Sequence, residues 1–477
     1  MLGTLVLLRY RTVRAPALFL TILGTIATMP FSSQALPLFA RQTGQNCVAC
    51  HTGGQFPDLT PYGRKFKLTG YTMGDRTLVP FAVMGVASSV RVAHASPGSG
   101  DVAADFPQNG AFHPTTGSLF AGGKITDNVG MFGQWTFNAY DHQGDDGRWH
   151  GHGTSDQFDL RFADRFIDLQ RDLIFGASVN NNPGVTDVWN TFNSAFTSVP
   201  GYVPVSNAGG AGPFVDVPAK PILQGLGPMA AGVNVYAFWN DTLYGELGLY
   251  QTANRGFSFL SQGIRDADMG VKLKGQANPY WRLALNHDWG ANSAMVGLYG
   301  LNVETYANAP DTSGPTIRYS DVGIDSQYQY ILDPHTVSAQ FSYTREKQHY
   351  GNELWDPTNA DYVGAYSNSS NTLNHLRVRA TYVYQAKYGA SLDYASASGS
   401  ADSLHYNTGA TPFGSVSDTP ATKLWIMEAF WTPVQYVRVG VQYFDFTRFN
   451  GSSSNYDGNL RNARDNNTLF LYIWGAY

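Results

Sequence analysis

The sequence is poor in cysteine and in charge. Two cysteines in 477 residues exclude a scaffold built on disulfides. Lys and Arg number 31, Asp and Glu 36, and charged residues make up 14% of the chain, against about 25% in a typical soluble domain. A formal net charge of −5 and the lack of a basic patch exclude nucleic acid as an expected partner. Beyond the N-terminus no run reaches the ~18 consecutive apolar residues of a membrane-spanning helix. Neither a nucleophile motif nor a phosphate-binding glycine loop is present. What is abundant is glycine, with 51 residues, and aromatics, with 28 Tyr, 28 Phe and 10 Trp.

The first 35 residues read as an export signal. Arg9, Arg11 and Arg14 precede an apolar stretch from Ala15 to Thr28, and Ser33-Gln34-Ala35 places small residues at a cleavage site. Export through this signal predicts a mature chain starting near Leu36.

Both cysteines fall in one motif, Cys47-Val48-Ala49-Cys50-His51. C-x-x-C-H is the attachment signature of a c-type haem: two thioethers anchor the ring, and the adjacent histidine becomes the proximal iron ligand. A disulfide across two residues would close little chain entropy. A zinc site would need further ligands, and a redox pair a thioredoxin-like setting. One covalent haem c on Cys47, Cys50 and His51 is therefore expected. The segment 36–79 that carries the motif is too short to fold on a core of its own. Within it Thr60 reads as an N-cap, Pro61 as the first helical residue and Gly70 as the stop. Met73 is the first candidate for the sixth iron ligand. A histidine such as His94 or His113, or an open position, is the alternative.

From 80 to 477 the pattern changes to period two. Leu376, Val378, Ala380, Tyr382 and Tyr384 fall on one face, with His375, Arg377, Arg379 and Thr381 on the other. Val337, Ala339, Phe341 and Tyr343 alternate with polar residues, as do Val437, Val439, Val441 and Tyr443. Segments of about ten residues, apolar outside and polar inside, are the signature of a transmembrane β-barrel, which would place outer-membrane lipid against the apolar face. Long polar stretches at 94–115, 141–156, 179–228, 348–372, 397–420 and 448–466 alternate with short turns. Seventeen candidate strands can be drawn, and the long–short alternation breaks once between about 251 and 313. Merging one pair there gives the even count that single-chain bacterial barrels require. The expected fold is all-β, a ~16-stranded antiparallel outer-membrane barrel of a Gram-negative bacterium, its lumen plugged by the haem segment.

The run Leu38 to Gly44, the haem motif, Tyr62 to Lys67 and Gly70-Tyr71-Thr72 together resemble the outer-membrane cytochrome–porin fusions of iron-oxidising bacteria. Asn180-Asn181-Asn182-Pro183, Asp187-Val188-Trp189-Asn190 and the closing strand resemble the wider family. The resemblance spans the mature chain, most specifically at the haem segment. It implies that the haem takes electrons from extracellular Fe(II) and passes them to a periplasmic c-type cytochrome, which makes the chain a possible Fe(II):cytochrome c oxidoreductase. The alternatives are a diffusion porin with a structural or sensory haem, a conduit with another donor or outward flow, and a haem peroxidase. Asp141, His142, Asp145, Asp146, His150 and His152, expected in one external loop, combine the carboxylate and imidazole groups that suit Fe(II) docking.

Overall fold

The computed structural model describes residues 37–54, 57–94, 109–143, 149–191, 216–227, 229–253, 258–260, 270–309, 311–409 and 414–477, with side chains at 37, 138–143 and 149 excepted. The expected export signal lies outside the described residues. Among the described residues no helix is long and apolar enough to cross a membrane.

Sixteen strands form the fold. The first eight are β1 Phe81–Val92, β2 Phe112–Lys124, β3 Val129–Gln143, β4 Trp149–Ile167, β5 Asp172–Asn180, β6 Ala230–Trp239, β7 Leu243–Thr252 and β8 Asn278–Trp289. They are followed by β9 Asn292–Tyr306, β10 Thr316–Leu332, β11 His335–Tyr350, β12 Ser370–Tyr384, β13 Tyr388–Gly399, β14 Thr422–Val434, β15 Val437–Arg448 and β16 Thr468–Ala476. Each pairs with its neighbours in sequence, and β1 pairs antiparallel with β16 to close the barrel. Closure leaves no unpaired edge, the condition for strands to cross lipid.

The faces follow the alternation. On β12, Val378, Tyr382 and Tyr384 are exposed, while His375, Arg377, Arg379 and Thr381 are buried inside. On β14, Trp425, Met427 and Trp431 point outward and Glu428 and Phe430 inward. Seven connections of two to four residues join β2–β3, β4–β5, β6–β7, β8–β9, β10–β11, β12–β13 and β14–β15. The longer connections all lie at the opposite end. Short turns face the periplasm in barrels of this type, so the short-turn end is the periplasmic mouth. Exposed Phe166, Trp239, Trp289, Tyr384, Tyr388 and Trp431 ring that end, where amphipathic aromatics settle at a lipid–water boundary. This is a barrel of the Gram-negative outer membrane.

Two expectations need correction. The alternation of long and short connections does not break between 251 and 313: β7, a connection over 253–277, β8, β9 and a connection over 307–315 keep it intact. The described residues of the stretch 141–156 are strand rather than loop. β3 runs to Gln143 and β4 starts at Trp149, because the strands continue past the apolar band, where the sequence is polar throughout and alternation no longer marks a strand.

Candidate functional site

Among the described residues three short α-helices precede the barrel: α1 Pro37–Thr43, α2 Cys47–Cys50 and α3 Pro61–Leu68. Helix α3 forms as its sequence dictates. Thr60 caps it, its hydroxyl accepting from the Gly63 N–H, and Pro61 opens it. These helices are tied to the barrel wall by side chains far apart in sequence. Arg64, buried on α3, donates to Gln327 and Gln329 of β10 and, at 2.6 Å, to Ser293 of β9. Lys65 pairs with Asp241 of the β6–β7 turn at 2.6 Å. Cys47 N–H donates to Gln435 Oε1 of the β14–β15 turn, and Gln42 Oε1 accepts from Lys124 N–H at the β2–β3 turn. Most of these anchors lie at or near short turns. The segment is a plug in the periplasmic mouth.

The C-x-x-C-H residues form one turn of this plug. The His51 N–H donates to the Cys47 carbonyl at 2.8 Å, and the Thr60 N–H to the Cys50 carbonyl at 2.9 Å. No disulfide joins Cys47 and Cys50. Burial pushes Cys47 up to about 12 and Cys50 up to about 11, so both stay protonated. His51 is half-buried, with Nδ1 shut off from solvent. Desolvation of the ring pushes the imidazole down to about 4, against a smaller opposing effect from the backbone of Asp58 and Pro57. The ring is therefore neutral, the form in which histidine binds a metal, and backbone contacts of that kind fix a ligand ring's orientation. Gly53 follows in the left-handed region at φ 62°, and a Cβ there would come within 2.8 Å of Val383. Two thiols one turn apart, with a histidine on the next residue, are the set a c-type haem needs: two thioether anchors and one nitrogen ligand.

A second element enters the lumen from the other side. Described parts of the long β5–β6 connection, 181–191 and 216–227, line the inner wall. Asn190 Nδ2 donates to the Pro57 carbonyl at 3.1 Å, joining this connection to the plug. Asp187 faces Arg282 of β8 at 3.4 Å, Arg282 also pairs with Asp325 of β10, and Lys67 of the plug donates to the Asp187 carbonyl. Farther along, the Leu223 N–H donates to Asp321 Oδ2 at 3.0 Å and the Ile222 N–H to Glu346 Oε2 at 2.5 Å. The Asn180–Asn190 run picked out by resemblance is therefore the part of the lumen that meets the plug.

The other candidates are spread out. The Met73 carbonyl is held by Gln42 Nε2 at 2.9 Å, on the side where Tyr71 reaches Asp159 of β4. His51 instead bridges to Leu59, and the next residue, Thr52, accepts from Gln329 of β10. The plug thus fastens Met73 and His51 to different stretches of wall. His94 and His113 lie at the long-loop end of β1 and β2, with His94 Nδ1 2.6 Å from Asp465. A strand crossing separates them from the plug, about 30 Å along the barrel axis, and neither is placed to ligate an iron bound at His51. His142 and His150 are paired across the β3–β4 hairpin, with His152 two residues on. Asp145 and Asp146 lie outside the described residues. Among the described residues no three His, Cys, Asp or Glu side chains cluster as metal ligands.

Sequence reading missed Arg64 of the plug and the inner-wall residues Arg282, Asp325 and Asp321, which hold the plug and the β5–β6 connection. For the three strand residues the signal was a charge at an inward position of an alternating segment, as at Asp321 and Asp325 of β10; Arg64 carried none.

No family model matches this sequence, and no curated protein matches it. Solved structures similar to it are outer-membrane barrels. The channel DcaP of Acinetobacter baumannii is 13% identical, with a TM-score of 0.43, covering 83% of this chain and 96% of its own. OprB of Pseudomonas putida is 11% identical, TM-score 0.43, covering 83% and 94%. In-vitro folded OmpT, an outer membrane protein of Vibrio cholerae, is 11% identical, TM-score 0.40, covering 83% and 98%. The likeness is one of broad shape, and the barrel assignment rests on this chain's own strand closure.

Proposed function

We propose that this barrel is an electron conduit of the outer membrane. Cys47 and Cys50 bind one haem c covalently, His51 ligates its iron, and electrons pass from extracellular Fe(II) to a periplasmic c-type cytochrome. The observation that carries the reading is the position of the chain's single C-x-x-C-H turn, inside the periplasmic mouth and tied there through Cys47 and Thr52. Bound haem would supply a one-electron Fe(III)/Fe(II) couple. Each Fe(II) outside gives up one electron, and one periplasmic ferricytochrome takes it up. The plug's walls hold the ligand turn, and Val48, exposed between the two cysteines, offers a face to a periplasmic partner.

The β3–β4 hairpin, with Asp141, His142, His150 and His152 and the intervening Asp145 and Asp146, is an external docking site for iron in this reading. It lies about 30 Å from the plug along the axis. Iron bound there would be at a way in rather than at the point of electron transfer.

A second reading is a diffusion porin. Sixteen strands enclose a lumen wide enough for water, which favours it. Buried Arg282, Asp325, Glu246 and Asp159 on the inner wall favour a filled lumen instead. The test is a visible spectrum of intact cells displaying the protein, before and after Fe(II) is added outside. Appearance of a reduced c-type α-band, absent in His51→Ala, supports the conduit. Reduction by dithionite but not by Fe(II) removes iron as donor.

A further inference from the structure

The loop that starts at His51 closes on itself. His51 bridges antiparallel to Leu59, the Thr52 N–H donates to the Asp58 carbonyl at 2.9 Å, and the Thr60 N–H ties the far end to Cys50. This places the backbone of Pro57 and Asp58 against the His51 ring. Two donors fix that backbone from different sides. Thr52 holds the Asp58 carbonyl from within the plug. The Pro57 carbonyl is held from outside it, by Asn190 Nδ2 at 3.1 Å.

Asn190 ends the run Asp187-Val188-Trp189-Asn190, and the chain around it is folded so as to aim its amide. Asp187 Oδ1 accepts from the Trp189 N–H at 3.0 Å and Oδ2 from the Thr191 N–H at 2.9 Å, which bends the chain across Asn190. Asn190 takes the left-handed conformation at φ 52°, which asparagine tolerates better than most residues. The turn is also fastened to the wall. Gln327 Nε2 donates to the Trp189 carbonyl at 2.8 Å, and Gln340 Nε2 reaches that carbonyl and Asp58 Oδ1 at 3.3 and 3.1 Å. Asp187 itself is buried and faces Arg282. A turn held in this way presents a fixed amide to Pro57.

A histidine that binds a metal is steadied through its second ring nitrogen, by a carbonyl or carboxylate that sets the ring's orientation and basicity. The Pro57–Asp58 backbone is what the plug offers His51 for that purpose. We infer that Asn190 is a positioning residue for the haem iron's ligand, acting on His51 through the Pro57 carbonyl. The inference rests on the haem reading above. Support for the ligand then comes in part from the long β5–β6 connection, which enters from the outer end of the barrel, and not from the haem segment alone. A carbonyl relieved of the Asn190 amide becomes a stronger acceptor for the ring, and a more basic imidazole favours ferric iron, which lowers the reduction potential.

The test uses the full-length protein in outer-membrane vesicles. Haem content is measured by pyridine haemochrome, the potential by spectroelectrochemical titration, and the ligand's orientation by the g-values of the ferric haem in electron paramagnetic resonance. Asn190→Gly removes the amide and suits the left-handed turn. It is expected to keep wild-type haem content, lower the potential and shift the g-values. Gln224→Ala removes another amide of the same connection, one that faces His375 of β12 at 3.3 Å, and should change none of these. Should Asn190→Gly fail to reach the membrane, Asn190→Asp, which keeps the size but not the donor, decides by the same readouts. Full haem content with an unchanged potential and unchanged g-values would overturn the inference and leave the haem reading standing. Equal shifts in Gln224→Ala would overturn it too, since loosening the connection anywhere would then suffice. A wild-type protein without covalent haem would overturn both.

Discussion

Gly63 lies against the backbone of Cys50, so closely that an added Cβ would sit 2.1 Å from the Cys50 carbonyl oxygen. Helix α3 can approach the ligand turn only because position 63 carries no side chain. Gly63→Ala should force the two apart, at a cost of about 1–3 kcal/mol, the usual range for overpacking. The barrel should still insert and migrate as a folded species, while the plug becomes sensitive to protease added from the periplasmic side. Unchanged protection would mean that the turn and the helix do not need this contact.

Arg282 is fully buried and paired with both Asp187 and Asp325. Arg282→Met leaves two carboxylates facing each other without a cation, an arrangement that typically costs about 3–5 kcal/mol. A lower unfolding midpoint is expected, together with loosening of the β5–β6 connection. Arg282→Met combined with Asp187→Asn and Asp325→Asn should recover much of the loss, and a denaturant series on the two variants measures it.

Thr60 caps α3 and also donates to the Ala49 carbonyl, bracing the ligand turn. Thr60→Ala removes both bonds. A loss of about 1 kcal/mol is expected from the cap alone, visible as faster hydrogen exchange at Gly63 and Arg64 with the barrel strands unaffected.

Met73 is fastened through Gln42 on the side of β2 and β4, while His51 is fastened beneath β10. Met73→Leu is therefore expected to leave the haem spectrum unchanged. Loss of a methionine-to-iron band in that variant would show that residue 73 moves to the iron when haem is attached.

If the plug closes the mouth, the intact protein should pass little current in planar bilayers, and a form lacking residues 36–79 should open large, stable channels. Equal conductance of the two forms would favour the diffusion porin.

How far these features could be read in advance depended on the range of the interaction behind them. Alternation along β12 reports the environment of single residues, so the lipid-facing Val378 and Tyr382 and the inward Arg377 and Arg379 were legible. Thr60 and Pro61 act within one helical turn, and they too were legible. That the haem segment would plug the lumen was expected, but which stretches of wall hold it was not legible. That depends on Arg64 meeting Gln329 and on Cys47 meeting Gln435, contacts hundreds of residues apart that no local pattern encodes. The β3–β4 hairpin was misread for a different reason. Beyond the apolar band, His150 and His152 sit on a strand wet on its outer face, and such a strand has the composition of a loop.

The central claim is best tested with the protein reconstituted into sealed vesicles enclosing oxidised soluble cytochrome c, with Fe(II) added outside. The account predicts that the enclosed cytochrome becomes reduced, at a rate proportional to the amount of protein and abolished in His51→Ala. An enclosed cytochrome that stays oxidised while small sugars pass freely through the wild-type protein would contradict it.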